Sequence, residues 1–133
     1  MNPLLLIAAP RAQNRCEYCR APAAAFNFSF EVEHILPVSL GGSDAPDNLA
    51  LACRSCNAFK SARQTGTDPQ TGQTVPLFHP RQQTWSDHFQ YVPQEYLLTG
   101  LTPVGRATIS VMQLNSAEQR TARRMRERLE LFP

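Results

Sequence analysis

The feature that most constrains the fold of this chain is the placement of its four cysteines in two CxxC pairs, Cys16-Glu-Tyr-Cys19 and Cys53-Arg-Ser-Cys56. Two such pairs brought together form a tetrahedral site of four thiolates, the geometry that Zn²⁺ takes in structural sites. Redox-active or simply buried cysteines are the alternatives, and the paired spacing favours zinc. Because no cysteine is left over for a disulfide, the pattern is typical of a reducing compartment. We therefore expect one structural Zn²⁺ and a cytoplasmic protein.

Length and composition predict one compact domain with a modest core. The chain has 133 residues, of which 42% are hydrophobic, and small domains bury a lower fraction of their surface than large ones do. No stretch approaches the ~20 apolar residues of a membrane helix. The apolar run at residues 3–9 lacks a preceding basic residue, so we expect a packed helix or strand there rather than a signal peptide.

The positive charge of the chain is almost entirely arginine. There are twelve arginines and one lysine, and the net charge is only +2. This net charge is too small to indicate a nucleic-acid-binding protein by itself, but the planar guanidinium suits bidentate contact with phosphate. An arginine-rich composition without functional meaning is the alternative.

The segment between the two cysteine pairs predicts two strands and a helix. Apolar and polar residues alternate over residues 26–36, which is the period of a half-buried strand, and Pro37 ends it. Glu33 and His34 then lie at the strand end and point to opposite faces. A glycine-rich loop follows, residues 48–52 predict a second strand, and residues 53–63 predict a helix because they lack glycine and proline.

The rest of the chain predicts a linker, a hairpin and two helices. Residues 64–76 are rich in Thr, Gln, Gly and Pro and are expected to form a linker or exposed loop. Residues 88–92 and 95–99 predict a β-hairpin. Thr102-Pro103 predicts the start of a helix that ends near residue 114, and Ser116 opens a final helix that ends near residue 131.

These elements predict an α+β fold in three parts. Residues 1–63 form the zinc-bound core, residues 64–76 the linker or loop, and residues 77–133 a hairpin and helical extension packed on the core. The arginines of the final helix allow two interpretations, a face that follows phosphates or an ordinary amphipathic helix.

The residues between Cys16 and Lys60 resemble the HNH endonuclease family, specifically its zinc-containing members. His34 and Asn48 are fourteen positions apart, Asn48 and Asn57 are nine apart, and the matching segment covers about a third of the chain. The family takes its name from a final histidine, which Asn57 replaces here, so this is a His-Asn-Asn variant. The resemblance rests on this ordered set: the two CxxC pairs, Glu33-His34-Ile-Leu-Pro37, Gly41-Gly42, Asn48-Leu49, and Asn57-x-x-Lys60.

The resemblance implies a ββα-metal core and a role for each motif residue. The residue at the His34 position is the general base, and the one at the Asn48 position helps to hold it. Residues at the Glu33 and Asn57 positions bind a catalytic divalent ion. The residue types agree with these roles, because histidine takes up a proton near neutral pH and hard oxygen ligands suit Mg²⁺ or Mn²⁺. A core or surface histidine and a turn asparagine are the ordinary alternatives.

Three cationic residues on or beside the predicted helix are candidate phosphate contacts: Arg54, Lys60 and Arg63. A solvated helix face is the alternative. Together with the resemblance, these residues predict an endonuclease that hydrolyses phosphodiester bonds, with DNA favoured over RNA.

Two other functions are open from the sequence, a non-catalytic zinc-bound module that binds nucleic acid and a zinc-bound protein-interaction domain. Neither would need Glu33-His34 facing Asn57, which favours the enzyme. No recognition element for a long DNA site is apparent, so we expect low specificity or a protein partner that supplies it.

Overall fold

The computed structural model describes residues 2–133. Over this range the chain is mixed α/β, with three separate two-stranded antiparallel sheets and five α-helices. None of the helices in this range is both long and apolar enough to span a bilayer. In chain order the elements are α1 (Leu5–Arg11), β1 (Glu31–His34), β2 (Leu49–Ala52), α2 (Arg54–Lys60), β3 (Thr65–Thr67), β4 (Thr74–Pro76), α3 (Trp85–His88), β5 (Phe89–Val92), β6 (Leu97–Gly100), α4 (Pro103–Met112) and α5 (Ala117–Arg128).

Strands β1 and β2 form the first hairpin, with Glu31 opposite Ala52 and His34 opposite Leu49. The strand predicted over residues 26–36 is shorter in the structure, because β2 offers only four residues to pair with and is followed at once by Cys53. The aromatic residues before β1 pack on each other instead: the ring centroid of Phe26 lies 4.9 Å from that of Phe30. All of β2 is buried.

Helix α2 begins directly after β2 and packs against both strands of this hairpin. Cys53 is its N-cap, and the Cys53 Sγ accepts a hydrogen bond from the backbone N–H of Cys56 at 3.4 Å. The helix ends at Lys60, three residues before the predicted end, because Ser61 takes a backbone φ of 49° that a helix cannot continue through. Helix α2 therefore carries Asn57 and Lys60 one turn apart on a short, rigid element.

The segment predicted as a linker, residues 64–76, contains the hairpin of β3 and β4, which packs against α4. Most of its side chains are exposed, but Asp68 is fully buried. Arg106 donates from Nε to Asp68 Oδ1 at 2.9 Å and from Nη2 to Oδ2 at 3.0 Å. The hydrogen bonds from Arg106 hold the pKa of Asp68 well below its ordinary value. This bidentate pair orders the segment, and its partner lies too far along the chain for composition to reveal it.

The C-terminal elements follow the predicted order, with hairpin β5–β6 and then α4 and α5. Each helix has the predicted cap: Thr102 Oγ1 accepts from Gly105 N at 3.0 Å, and Ser116 Oγ accepts from Gln119 N at 3.2 Å. Helix α5 ends at residue 128 rather than 131. The four cysteines share one hydrophobic core with residues from both halves of the chain, including Phe30, Leu51, Phe78, Phe89, Met112 and Leu114.

Candidate active site and zinc centre

The four cysteines converge at the centre of this core. All are buried and none is in a disulfide, and their four Sγ atoms lie within 4.8 Å of one another. The Sγ atoms of Cys19 and Cys53 are 3.8 Å apart, which matches the ~3.8 Å between ligands of a tetrahedral site with Zn–S bonds of ~2.3 Å. The predicted convergence is confirmed, and the donor set fits zinc.

The electrostatics of the cluster are compatible with a bound cation. Hydrogen bonding with Cys16 lowers the pKa of the Cys19 thiol, whereas hydrogen bonding with Cys16 and other cysteines raises that of Cys56 well above its ordinary value. Four close thiols cannot all ionise without a compensating positive charge. A bound Zn²⁺ supplies that charge and would replace the shared protons by four metal–sulfur bonds.

Glu33 is buried beside this cluster and already has two partners. Its Oε1 accepts a hydrogen bond from the Tyr18 hydroxyl at 2.5 Å, and Lys60 Nζ lies 2.6 Å from its Oε2. Lys60 Nζ and Glu33 Oε2 form an ion pair, but their geometry is not that of a hydrogen bond. Burial and the neighbouring Glu33 charge raise the pKa of Tyr18 well above its ordinary value, so the phenol stays protonated and donates. Since Tyr18 lies between Cys16 and Cys19, its hydrogen bond connects Glu33 to the four-cysteine cluster.

Asn57 lies against Glu31 rather than Glu33. Asn57 Nδ2 donates to Glu31 Oε2, and Arg54 Nε lies 3.5 Å from Glu31 Oε1. Among residues 2–133, no hydrogen bond joins Glu33 to Asn57. Of the two predicted ligands of the catalytic ion, Asn57 is therefore paired with Glu31 and Glu33 with Lys60.

His34 lies at the end of β1, with its side chain 24% exposed. Its Nε2 is 2.7 Å from Oδ1 of Asp44, an exposed carboxylate in the loop between β1 and β2. With Asp44 ionised, Nε2 carries the hydrogen of this bond and Nδ1 is the nitrogen that can accept a proton. His34 and Asp44 thus form a solvent-accessible His–Asp pair.

Asn48 holds the loop that carries Asp44. Its Oδ1 accepts from Leu36 N at 2.8 Å, while its Nδ2 donates to Leu36 O at 3.0 Å and to Ser43 O at 2.8 Å. Gly42 lies so close to the Leu36 backbone that a Cβ at this position would be 1.7 Å from Leu36 O. Asn48 therefore fixes the residue directly before Asp44 and, through it, the partner of His34.

The three predicted phosphate contacts differ in exposure. The Arg54 side chain is 73% exposed, and its guanidinium lies 4.8 Å from the ring centroid of Phe28. Arg63 is also exposed. Lys60 is only 2% exposed, and its Nζ donates to Ile35 O at 3.0 Å in addition to its pairing with Glu33. In this arrangement Arg54 and Arg63 present charge to solvent, and Lys60 does not.

The segment that holds both cysteine pairs matches a known protein family. The family model of the HNH endonuclease matches residues 16–63. Residues 16–63 are therefore similar to an HNH domain. HNH domains act on nucleic acids, and the family is generally one of nucleases. No curated protein and no solved structure matches the chain.

Sequence reasoning about the HNH domain missed three residues that the structure places at the site: Tyr18, Glu31 and Asp44. Tyr18 lies inside the first CxxC pair, and the spacing of that pair points only to the two cysteine thiols. Glu31 shares a strand face with Glu33, because residues two apart in a strand point the same way. Asp44 lies in the loop predicted after the first strand, where a carboxylate between His34 and Asn48 is a usable signal.

Proposed function

We propose that the protein is an endonuclease that hydrolyses phosphodiester bonds in DNA, with His34 as the general base. The observation that supports this most is the His34–Asp44 pair, which lies within the HNH domain at the open end of the β1–β2 hairpin. In this proposal β1, β2 and α2 are the ββα-metal core, and one structural Zn²⁺ on the four cysteines holds the ends of that core together.

The pair suits activation of water. Asp44 accepts the hydrogen of His34 Nε2, which orients the imidazole and stabilises the positive charge that forms when Nδ1 takes a proton. A water at Nδ1 would lose that proton as it attacks phosphorus. The bond from phosphorus to the leaving sugar oxygen breaks with its electron pair on that oxygen, which takes a proton from solvent. Asn48 acts indirectly, as a positioning residue, because its bond to Ser43 O fixes the loop next to Asp44.

Arg54 and Arg63 are the residues that would contact the DNA backbone in this proposal. Both are exposed at or beyond the ends of α2, and arginine binds phosphate through two parallel hydrogen bonds. Arg54 would exchange its loose contact with Glu31 for a phosphate. Lys60 would act through Glu33 rather than through DNA.

The resemblance also implies a catalytic divalent ion held by Glu33 and Asn57. Glu33 and Asn57 each have another partner in this arrangement, because Lys60 Nζ lies beside the Glu33 carboxylate and Asn57 donates to Glu31. We therefore derive no step through a divalent ion. Dependence on Mg²⁺ or Mn²⁺ stays a prediction, measured by adding each ion to protein freed of divalent ions by a chelator too weak to remove zinc.

A plasmid-nicking assay with His34→Ala tests the proposal. General-base catalysis typically contributes ~10²–10⁴-fold, so cleavage should fall by that factor while DNA affinity and the circular dichroism spectrum are unchanged. Asp44→Asn should also lower the rate, and Asp87→Asn is the matched control, because Asp87 is an exposed carboxylate in α3.

Two results would contradict the proposal. If His34→Ala cleaves at nearly the wild-type rate, His34 is not the base. If the wild-type protein binds DNA but nicks none with any divalent ion present, the non-catalytic nucleic-acid-binding module is the better account. Weak and salt-independent DNA binding would instead favour the protein-interaction domain.

A further inference from the structure

Arg123 of helix α5 is a fully buried charge without an acidic partner. It is 0% exposed, and no carboxylate lies within ion-pair distance of it among residues 2–133. Its Nη1 donates to Tyr96 O at 3.0 Å and to Asn115 Oδ1 at 3.2 Å, and its Nη2 donates to Leu114 O at 2.5 Å. Its Nε is buried and has no partner. Guanidinium stays protonated in proteins, so this buried cation requires compensation.

The four-cysteine cluster lacks the opposite partner, a cationic side chain. Four thiolates around Zn²⁺ carry a net charge of about two negative units, and all four side chains are buried. Apart from contacts among the thiols themselves, the hydrogen bonds to sulfur come from neutral backbone groups, Cys19 N at 3.5 Å from Cys16 Sγ and Cys56 N at 3.4 Å from Cys53 Sγ. Among the hydrogen bonds of the described residues, none joins a cationic side chain to a thiol.

Helix α5 lies next to the cluster. Cys53 lines a groove together with Gln119 and Ala122, which precede Arg123 on α5. Leu114, whose carbonyl accepts from Arg123, belongs to the same buried core as the four cysteines. Burial lowers the pKa of Arg123, whereas the thiolate forms of Cys19 and Cys56 raise it.

We propose that Arg123 is the buried countercharge of the zinc-bound thiolates. The residue lies sixty positions beyond the HNH domain in sequence, yet its positive charge would offset the excess negative charge of the metal site. Zinc binding and docking of α5 then stabilise each other, because each charge lowers the cost of burying the other. The inference concerns the zinc site alone and does not depend on nuclease activity.

Zinc affinity in charge-removing and charge-keeping variants tests this. Arg123→Met keeps the apolar stem and removes the charge, Arg123→Lys keeps the charge, and Arg124→Met is the matched control, an exposed arginine on the same helix. Zinc would be titrated against a chromogenic chelator under reducing conditions, and its transfer rate from the folded, loaded protein to that chelator would be measured. Arg123→Met should lower zinc affinity by about 10–100-fold, the range seen when residues around a metal site are changed. Arg123→Lys should recover most of this loss, and Arg124→Met should match wild type.

A merely structural role would give a different pattern. Arg123→Met also loses three hydrogen bonds, so urea unfolding is compared with and without zinc. A countercharge predicts that the loss of stability is larger in the zinc-loaded protein, because without zinc the buried charge is itself unfavourable. Equal losses in both states would overturn the proposal. If the metal-free protein is unfolded, the zinc transfer rate decides: equal acceleration by Arg123→Met and Arg123→Lys, with unchanged circular dichroism, would overturn it.

Discussion

Removing one charge of the buried Glu33–Lys60 pair should destabilise the protein far more than removing both. Glu33 is 4% exposed and Lys60 is 2% exposed, with Nζ 2.6 Å from Oε2. Breaking a buried pair typically costs about 3–5 kcal/mol, because the remaining charge is left in the core without a partner. Since domains are stable by only about 5–15 kcal/mol, Glu33→Gln or Lys60→Met alone should remove a large part of the free energy of unfolding.

The double variant Glu33→Gln/Lys60→Met should be close to wild type. Glutamine still offers an oxygen to the Tyr18 hydroxyl, methionine fills the space of the lysine stem, and Ile35 O keeps its hydrogen bond from Gln64 at 2.9 Å. The remaining cost is that of a changed hydrogen bond, about 1–2 kcal/mol. The double variant should therefore be more stable than either single variant.

Urea unfolding of the zinc-loaded proteins, followed by Trp85 fluorescence and circular dichroism, measures these differences, provided that the urea dependence of the free energy is the same in all variants. A single variant that loses less than ~1 kcal/mol of its free energy of unfolding would refute this prediction. So would a double variant whose loss of stability equals the sum of the two single losses. DNA affinity then identifies the role of Lys60: a loss of affinity in Lys60→Met with little loss of stability would support the sequence prediction that Lys60 contacts phosphate.

Three further predictions concern the zinc site, the DNA surface and the β3–β4 hairpin. Cys53→Ser should yield insoluble or poorly folded protein, because zinc binding contributes folding energy directly; metal content and the circular dichroism spectrum check this, and a folded variant with one bound zinc would contradict it. Arg54→Ala should weaken DNA binding and lower the slope of log affinity against log salt by about one, measured by fluorescence anisotropy, whereas an unchanged slope would exclude a phosphate contact. The depressed pKa of Asp68 means that ionised Asp68 stabilises the fold above its unfolded pKa of ~3.9, and this stabilisation is lost as the pH falls through the lower folded value. Asp68→Asn should therefore be less stable than wild type at neutral pH and lose less free energy of unfolding on acidification. Unfolding curves from pH 7 to pH 2 measure this, and a variant as sensitive to acid as wild type would contradict it.

The sequence alone predicted the features whose signals are local. The CxxC spacing predicted the convergence of the four cysteines, which is confirmed, and the ordered motifs predicted the resemblance to the HNH family, which the family match confirms. Thr102 and Ser116 predicted the starts of α4 and α5, because a helix start depends on a cap within three residues. Each of these features is decided by side chains that are neighbours in the chain.

The tertiary structure alone decided which charged groups meet. Glu31 and Glu33 share one face of β1, and Asn57 and Lys60 lie one turn apart on α2, so the sequence permits either carboxylate to face Asn57. The packing of α2 on the hairpin places Glu31 against Asn57 and Glu33 against Lys60. The ordering of residues 64–76 by Arg106 has the same origin. These contacts join residues far apart in sequence, and their pairing depends on how one packed element is rotated and shifted against another, which no local pattern of residues encodes.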